Sequence, residues 1–120
     1  DTGPDTSQHS DNLHHLWQAI APLVHQKHLH AILMECSYDN SQPTSHLYGH
    51  LTPHWVQKEL QDLQTVAGTS LQGLPVIITH VKPTLKRQDD PAARIFGELN
   101  ATNVTGVHFI MAHQSLHLRL

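Results

Sequence analysis

Two short apolar runs, each preceded by a segment with helical periodicity, constrain the fold of this chain more than any other feature. The runs occupy residues 31–36 and 74–79 and read A-I-L-M-E-C and L-P-V-I-I-T. A continuous apolar run of this length is typical of a strand that is buried on both faces of its sheet. Helices that alternate with such strands favour a layered unit, so we predict the α/β fold class.

The helical segments carry their own start and stop signals. Apolar side chains recur along residues 11–29 at helical spacing, which predicts an amphipathic helix that Pro22 should kink or split. A second helix should begin after Thr52, because threonine is a good N-cap and Pro53 suits the first helical position. Gly68 fits the C-terminal stop of this second helix.

The last third of the chain adds a helix and two further runs. Residues 91–101 predict a short third helix, and residues 107–111 and 116–120 alternate or cluster like strands at a sheet edge. Polar stretches at 38–48 and 82–91 have the chemistry of loops. The predicted order is therefore α-β-α-β-α-β-β, and a chain of 120 residues suffices for one small domain.

Composition excludes several classes of partner. The net charge of −3 and the isoelectric point near 6.5 argue against nucleic acid and anionic membranes as electrostatic partners. No apolar run approaches the roughly 18 residues of a membrane-spanning helix. The single cysteine, Cys36, excludes an internal disulfide. The chain opens on Asp1 with neither an initiator methionine nor a signal peptide, so we expect a fragment or a processed chain.

Histidine is unusually frequent, with 13 residues in 120. Because histidine is the commonest metal ligand, the tract of His14, His15, His25, His28 and His30 is compatible with metal binding. The tract contains no compact ligand signature such as C-x-x-C or H-E-x-x-H. We therefore favour a surface composition without a metal site for these five histidines.

Four residues that can do chemistry lie where predicted elements begin or end. Glu35 is near the end of the first strand, His80 follows the second strand, His50 precedes the second helix, and Asp1 opens the chain. Functional side chains of open α/β sheets gather at the ends of strands. We therefore expect a functional site that brings these residues together.

Each of the four residues also has a structural or unrelated interpretation. A carboxylate in a buried strand must be paired, so Glu35 is also compatible with a structural ion pair or a cap. His80 is compatible with a structural hydrogen bond, and His50 with a simple helix-entry residue. The D-T-G sequence at 1–3 also occurs in aspartic proteases, but no apolar strand precedes it here.

Taken together, the motifs around these residues resemble the class II cyclic-nucleotide phosphodiesterases in order and spacing. They are D-T-G-P-D at 1–5, E-C-S-Y-D-N at 35–40, G-H-L-T-P at 49–53 and I-T-H-V-K-P at 78–83. The resemblance runs from residue 1 to about residue 111. The chain also resembles, more distantly, the tRNA 3′-processing endonucleases, which share the metallo-β-lactamase fold.

The resemblance implies that residues 1–120 are the C-terminal half of a metallo-β-lactamase-like αββα sandwich, with the N-terminal half absent from this chain. That absent half would carry a His-x-His-x-Asp-His motif and one further histidine as metal ligands. By the same resemblance, Asp1 would bridge two divalent metal ions and His80 would be the last ligand. Carboxylate and imidazole ligands suit zinc, with manganese or iron as alternatives.

The resemblance further implies hydrolysis of 3′,5′-cyclic nucleotides, cAMP or cGMP, to 5′-nucleotides by a hydroxide generated at the two metal ions. His50 would protonate the departing 3′ oxygen, and Glu35 would hold the other ring nitrogen of His50. One alternative is another phosphodiesterase of the same fold that processes RNA ends. A second alternative is a non-catalytic metal-binding fragment, because Asp1 and His80 alone cannot hold two metal ions.

The expected partners are a cyclic-nucleotide substrate and the N-terminal half of the same protein. A homodimer stays open, and nucleic acid and membrane are not expected. Both the periplasm and the cytoplasm stay open as compartments. The segment I-M-A-H-Q at 110–114 departs from the P-E-Q-G type of ending that the family leads us to expect. We therefore assign no role to His113.

Overall fold

A computed structural model describes residues 2–85 and 88–120; Asp1 and residues 86–87 of the predicted 82–91 loop lie outside the described residues. The elements follow in the order α1 (Asp5–Gln8), α2 (Asn12–His25), β1 (Ile32–Glu35), a 3₁₀ turn (Thr44–His46), α3 (Pro53–Ala67), β2 (Pro75–Thr79), α4 (Pro91–Ala101) and β3 (His108–Met111). Helices alternate with strands as predicted, and the α/β class is confirmed. The short helix α1 had no counterpart in the prediction.

The three strands form one parallel sheet in the order β1-β2-β3. Ile32 pairs with Val76, and Glu35 pairs with Thr79. Val76 in turn pairs with Phe109 of β3. Because all strands run the same way, their carboxyl ends meet at one edge of the sheet, and the residues that follow β1 and β2 become neighbours there.

Helix α3 begins and ends where its local signals predict. Thr52 is the N-cap in extended conformation, and Pro53 occupies the first turn, although the Thr52 side chain makes no capping hydrogen bond. Gly68 ends the helix with φ of +65°, a left-handed conformation that glycine adopts without steric cost. The stripe that α3 buries is fully covered: Val56, Leu60 and Leu63.

Helix α2 is shorter than the predicted segment 11–29, because it ends at His25. Pro22 lies inside its last turn, and the expected split at that proline does not occur. Proline lacks the N–H that would bond to the preceding turn, so a position near the helix end limits the loss. The core face of α2 is formed by Leu13, Trp17, Ala21 and Val24.

Strands β1 and β2 have similar apolar sequences but differ in how deeply their side chains are buried. The central strand β2 is buried on both faces as predicted, with Val76, Ile77 and Ile78 at most 3% exposed. The same prediction is wrong for β1, because Leu33 is 70% exposed. β1 is an edge strand of the sheet, and the Leu33 side chain lies open among the described residues.

The predicted strand at 116–120 is also wrong. These five residues are all described and form no strand, and the last strand ends at Met111. Leu118 is 40% and Leu120 63% exposed, so neither side chain is packed as a sheet residue would be. Apolar residues alone do not make a strand, because a strand also needs a partner for its backbone hydrogen bonds.

The main core lies between the sheet and the helices α2, α3 and α4. It joins Trp17 of α2, Leu60 of α3, Ile78 of β2 and Ile95 of α4 in one cluster of contacting buried side chains. None of the helices in residues 2–85 and 88–120 combines the length and apolar character that crossing a bilayer requires.

Candidate functional site

Three of the four sequence-predicted site residues meet at the carboxyl edge of the sheet. Glu35 ends β1, His80 follows the last residue of β2, and His50 lies just before α3. One ligand atom from each of these side chains lies within 4.8 Å of the corresponding atoms of the other two. The fourth residue, Asp1, lies outside the described residues, but the neighbouring Thr2 hydroxyl donates to Glu35 Oε1 at 3.2 Å.

The Glu35 carboxylate is held by donors on both of its oxygens. Oε1 accepts the backbone N–H of Leu51 at 2.7 Å, in addition to the hydroxyl of Thr2. Oε2 accepts the hydroxyl of Ser37 at 2.6 Å. These bonds tie the end of β1 to the segment before α3, and they fix the carboxylate in one orientation.

His50 is a buried histidine with an unused nitrogen. The residue is 6% exposed, and its Nδ1 has no hydrogen-bond partner among the described residues. Nδ1 lies 3.8 Å from Glu35 Oε2, which is beyond hydrogen-bond length but close enough for an electrostatic interaction. Since most buried polar atoms in proteins are bonded, this nitrogen is an exception among the described residues.

The surroundings of His50 disfavour the charged form of its imidazole. Burial lowers the pKa of His50 below its usual value; the Glu35 carboxylate partly offsets this, and the charges of Lys82 and His80 lower the pKa further. A charged imidazole is less well solvated in a buried site, which is the physical cause of the largest effect.

His80 differs from His50 because its side chain is open to solvent. The two rings stand 5.1 Å apart between centroids at an interplanar angle of 60°. The backbone of His80 has φ of +56°, in the left-handed region. This turn directly after β2 places both the ring and the carbonyl of His80 beside Ser37, whose hydroxyl lies 3.3 Å from His80 Nδ1.

The chain start is packed tightly against the segment that carries His50. A Cβ atom on Gly3 would come within 2.9 Å of the backbone of Gly49, closer than real Cβ atoms approach. Gly49 itself has φ of +81°. Glycine at residue 3 therefore lets the segment next to Asp1 approach His50, and a larger residue would push the two segments apart.

The loop after β1 is anchored to two helices. The Asn40 side chain accepts the N–H of His54 in the first turn of α3 at 2.8 Å, and its backbone N–H donates to Glu98 of α4 at 2.8 Å. The Arg94 guanidinium donates to Asp39 at 2.7 Å. Although burial opposes the effect, hydrogen bonds from Ser41 and Arg94 hold the pKa of Asp39 below its usual value.

This anchored loop places an aromatic ring beside His50. The Tyr38 and His50 rings meet edge to face with centroids 6.0 Å apart. The ammonium of Lys82 lies 5.7 Å from the centroid of the Tyr38 ring, a cation–π distance. A basic group and an aromatic ring thus border the histidine cluster on one side.

An apolar groove of about 470 Å³ adjoins the cluster on the other side. It runs between α2 and β1, and its polar end is formed by Thr2, Glu35, His50 and His80. The apolar lining comprises Leu13, Leu16, Trp17, Ile20, Leu29, Ala31, Ile32, Leu33 and Met34.

The histidine tract of α2 and the following turn does not form a second cluster. Within residues 2–85 and 88–120, Glu35, His50 and His80 form the one group of three or more side chains that could hold a metal ion. His14 instead pairs with Asp62 at 2.9 Å, and His15 lies 3.3 Å from Asp11. His14 and His15 thus each have a carboxylate neighbour.

Comparison with protein families identifies the chain. The family of class-II cAMP phosphodiesterases matches residues 1–115. The chain belongs to this family. The predicted resemblance is therefore confirmed.

Individual class-II relatives agree with this assignment. A probable 3′,5′-cyclic-nucleotide phosphodiesterase of Yersinia pestis is 40% identical over 116 residues, covering 95% of this chain and 34% of the relative. The 3′,5′-cyclic-nucleotide phosphodiesterase of Aliivibrio fischeri is 42% identical over 115 residues, covering 95% of this chain and 35% of the relative. The chain thus spans about a third of the length of these two relatives.

A solved structure matches the fold. The crystal structure of unliganded yeast PDE1 superposes with a TM-score of 0.75 at 36% identity, covering 84% of this chain and 29% of that chain. This likeness agrees with the predicted metallo-β-lactamase-like architecture.

Sequence reasoning missed two side chains of the site, Ser37 and Tyr38, within the class-II motif E-C-S-Y-D-N. Ser37 is 1% exposed and bonds to Glu35. The strand period contained a signal for it, because residues two apart in extended chain point to the same side, and Ser37 follows Glu35 by two. Tyr38 had no comparable signal, since its contact with His50 depends on how the loop folds back.

Proposed function

We propose that the complete protein hydrolyses 3′,5′-cyclic nucleotides, cAMP or cGMP, to 5′-nucleotides with the help of two divalent metal ions, zinc in the first place. The observation that carries the proposal is the convergence of Glu35, His50 and His80 within 4.8 Å in a chain of the class-II family. The relatives from Yersinia pestis and Aliivibrio fischeri are named for cyclic nucleotides, which favours this substrate over RNA ends.

The donor set fits divalent metal ions. The exposed imidazole of His80 is a suitable ligand for zinc, and a carboxylate such as Asp1 can bridge two ions. Glu35 fits a different role, because both of its oxygens already accept hydrogen bonds from Leu51, Thr2 and Ser37. We therefore assign His80 and Asp1 to the metal ions, and Glu35 and His50 to proton transfer.

His50 would act as the general acid. The bond between phosphorus and the 3′ oxygen breaks, and a proton passes from His50 Nε2 to that oxygen. Glu35 Oε2, 3.8 Å from Nδ1, would accept a hydrogen bond from Nδ1–H, which keeps its proton, and would stabilise the charged imidazole before the transfer. Two bound ions would supply an activated water for the attack on phosphorus and would neutralise the phosphoryl oxygens.

The charges around His50 support a model in which its imidazole becomes protonated when the substrate binds. Burial and the positive charges of Lys82 and His80 lower the pKa of His50 in the free site. A cyclic phosphate carries a negative charge, and an opposite charge nearby favours the protonated imidazole. Binding of the phosphate would therefore favour the protonated form of His50, which holds the proton that the leaving oxygen needs.

The groove beside the cluster supports the proposal that residues 1–120 are the C-terminal half of one catalytic domain. Leu33 is 70% exposed in an edge strand, and the groove lining next to it is apolar. An exposed apolar surface of this kind marks a contact with another part of the molecule. We assign that contact to the N-terminal half, which would also bring the remaining metal ligands to His80.

The test uses the complete protein, purified with its metal. Elemental analysis gives the number of zinc, manganese and iron ions per chain, and chromatography identifies the product from cAMP and from cGMP. We expect a 5′-nucleotide, loss of turnover after chelation, and recovery when the metal is returned. Full turnover by metal-free protein, or a 3′-nucleotide product, would contradict the proposal. The 120-residue chain alone should be inactive, and mixing it with the upstream half should restore turnover.

A further inference from the structure

Ser37 lies where three segments of the site cross. Its backbone N–H donates to Leu51 O at 3.1 Å, and its carbonyl accepts the N–H of Lys82 at 3.0 Å. The first bond reaches the segment that carries His50, and the second reaches the segment after β2 that carries His80. Ser37 is 1% exposed, so its hydroxyl is confined to partners within the site.

The hydroxyl of Ser37 has three polar neighbours and a single proton. Its Oγ lies 2.6 Å from Glu35 Oε2, 3.0 Å from His80 O and 3.3 Å from His80 Nδ1. The shortest contact has the length of a charge-assisted O–H···O⁻ bond, so the proton belongs to the carboxylate. A hydroxyl oxygen that donates in this way still has lone pairs with which it can accept. His80 Nδ1 faces this oxygen at 3.3 Å and can donate to it in the tautomer that carries Nδ1–H.

We propose that Ser37 is a positioning residue that selects the Nδ1–H tautomer of His80 and thereby leaves Nε2 free to bind a metal ion. The inference deepens the proposed function and rests on it. A histidine ligand is oriented by the hydrogen bond that its other ring nitrogen makes, because that bond fixes both the tautomer and the direction of the lone pair. Here the acceptor is a buried hydroxyl, which Glu35 orients in turn.

The same hydroxyl couples the two parts of the proposed machinery. On one side it holds the carboxylate that faces His50 Nδ1 at 3.8 Å. On the other side it faces the His80 ring, which the left-handed turn at φ of +56° brings to the same atom. A side chain without a hydroxyl at residue 37 would remove the donor to Glu35 Oε2 and the proposed partner of His80 Nδ1 at once.

The first experiment measures zinc affinity of the complete protein by competition with a chromophoric chelator. Removing the partner of a ligating histidine typically weakens metal binding or activity by about 10–100-fold, and we expect a loss in this range for Ser37→Ala. Ser45→Ala is the matched control, because Ser45 is exposed and its hydroxyl reaches only the neighbouring His46 ring in the described structure. An affinity in Ser37→Ala equal to that of the wild type would overturn the inference.

A second variant separates positioning from general damage to the fold. Ser37→Thr keeps the hydroxyl, so it should recover most of the affinity that Ser37→Ala loses. Loss of the same size in both variants, with unchanged thermal unfolding, would overturn the inference, because the hydroxyl would then be irrelevant.

The tautomer can be read directly by nitrogen NMR of the metal-free complete protein, at a pH well above the usual histidine pKa. The His80 signals are assigned by their disappearance in His80→Ala. We expect protonation at Nδ1 in the wild type and a shift toward the Nε2–H form in Ser37→Ala. A wild-type His80 protonated at Nε2 would overturn the inference.

The outcomes distinguish this inference from the proposed function. Wild-type protein that binds no divalent metal would overturn the proposed function, and the inference with it. Wild-type protein that binds metal and hydrolyses cyclic nucleotides, while Ser37→Ala has the same affinity and the same His80 tautomer, would overturn the inference alone.

Discussion

Strands β1 and β2 have similar apolar sequences and lie side by side in register, yet they differ in burial and in the chemistry at their ends. In β2, Val76 and Ile78 are fully buried and Ile77 is 3% exposed. In β1, Leu33 is 70% exposed, while its neighbour Met34 is 7% exposed. The central strand is therefore complete within this chain, whereas the edge strand has one face that still needs cover.

The side chains at the ends of the two strands also differ in their surroundings. β1 ends in Glu35, a carboxylate fixed by hydrogen bonds and directed at the buried His50. β2 is followed by His80, whose ring is open to solvent. In our proposal the end of β1 moves a proton and the end of β2 binds metal. The core around β2 is therefore closed by this chain alone. In our proposal, the edge that carries Glu35 and His80 still needs metal ligands from another part of the protein.

The largest expected effect concerns the end of β1. His50→Ala in the complete protein should lower kcat by about 10²–10⁴-fold, the range typical of a lost general acid. Steady-state kinetics with cAMP measure it. Glu35→Gln should lower kcat as well, since the amide cannot stabilise a charged imidazole as a carboxylate does. A wild-type kcat in His50→Ala would contradict the role of His50 as general acid, and with it the proposed chemical difference between the two strand ends.

The second effect concerns the core under β2. Ile78→Ala should lower the free energy of unfolding by about 2–5 kcal/mol, because it removes a fully buried side chain and leaves a cavity. Denaturant unfolding of the complete protein measures the change. A loss below about 0.5 kcal/mol, the range of surface substitutions, would show that β2 is not the packed centre of the sheet.

The third effect tests the open face of β1. If the N-terminal half covers this face, Leu33→Ser should destabilise the complete protein by roughly 1.5–3 kcal/mol, the cost of losing one buried leucine. Val104→Ser serves as the control, because Val104 is 69% exposed and lies away from the groove. Equal, small effects of both substitutions on denaturant unfolding would show that Leu33 stays exposed in the complete protein.

The smallest effect is a change in the pH dependence of stability, in the contact that holds α2 beside α3. Trp17 Nε1 donates to Glu59 Oε2 at 2.7 Å in the buried contact of α2 with α3. Burial raises the pKa of the Glu59 carboxyl above its usual 4.5, and the bond from Trp17 partly offsets it. The folded state then holds the proton more tightly than the unfolded state does. Stability should therefore fall as pH rises from 4.5 through the raised pKa.

Glu59→Gln provides the check on that slope, because the amide oxygen still accepts the Trp17 N–H but does not titrate. Thermal unfolding across the acid range should show a flatter profile in this variant than in the wild type. Identical profiles would mean that Glu59 has the same pKa in the folded and unfolded states.

Local signals account for what the sequence predicted well. Thr52, Pro53 and Gly68 mark the bounds of α3 because capping and chain stiffness act within a few residues. Leu33 and the 116–120 segment were predicted wrongly because burial and strand pairing depend on partners elsewhere. An apolar run specifies neither whether its outer face is covered nor whether a neighbouring strand is available.

The site residues likewise divide into those that local sequence signals predict and those that depend on long-range contacts. Glu35 and His80 could be predicted as site residues because functional groups gather at strand ends. His50 could be predicted from the motif in which it lies. Ser37 was missed because serine is common and its role depends on two long-range contacts, to His80 and to the Leu51 segment. Distances of this kind arise only when the strands are in register.

The metal content of two variants of the complete protein tests the central claim most directly. Elemental analysis of His80→Ala and His50→Ala, purified in the same way as the wild type, compares the two strand ends in one experiment. We predict that His80→Ala loses bound metal and that His50→Ala retains the wild-type amount while losing turnover. Equal loss of metal in both variants would contradict this division of roles, because Glu35, His50 and His80 would then share one ion.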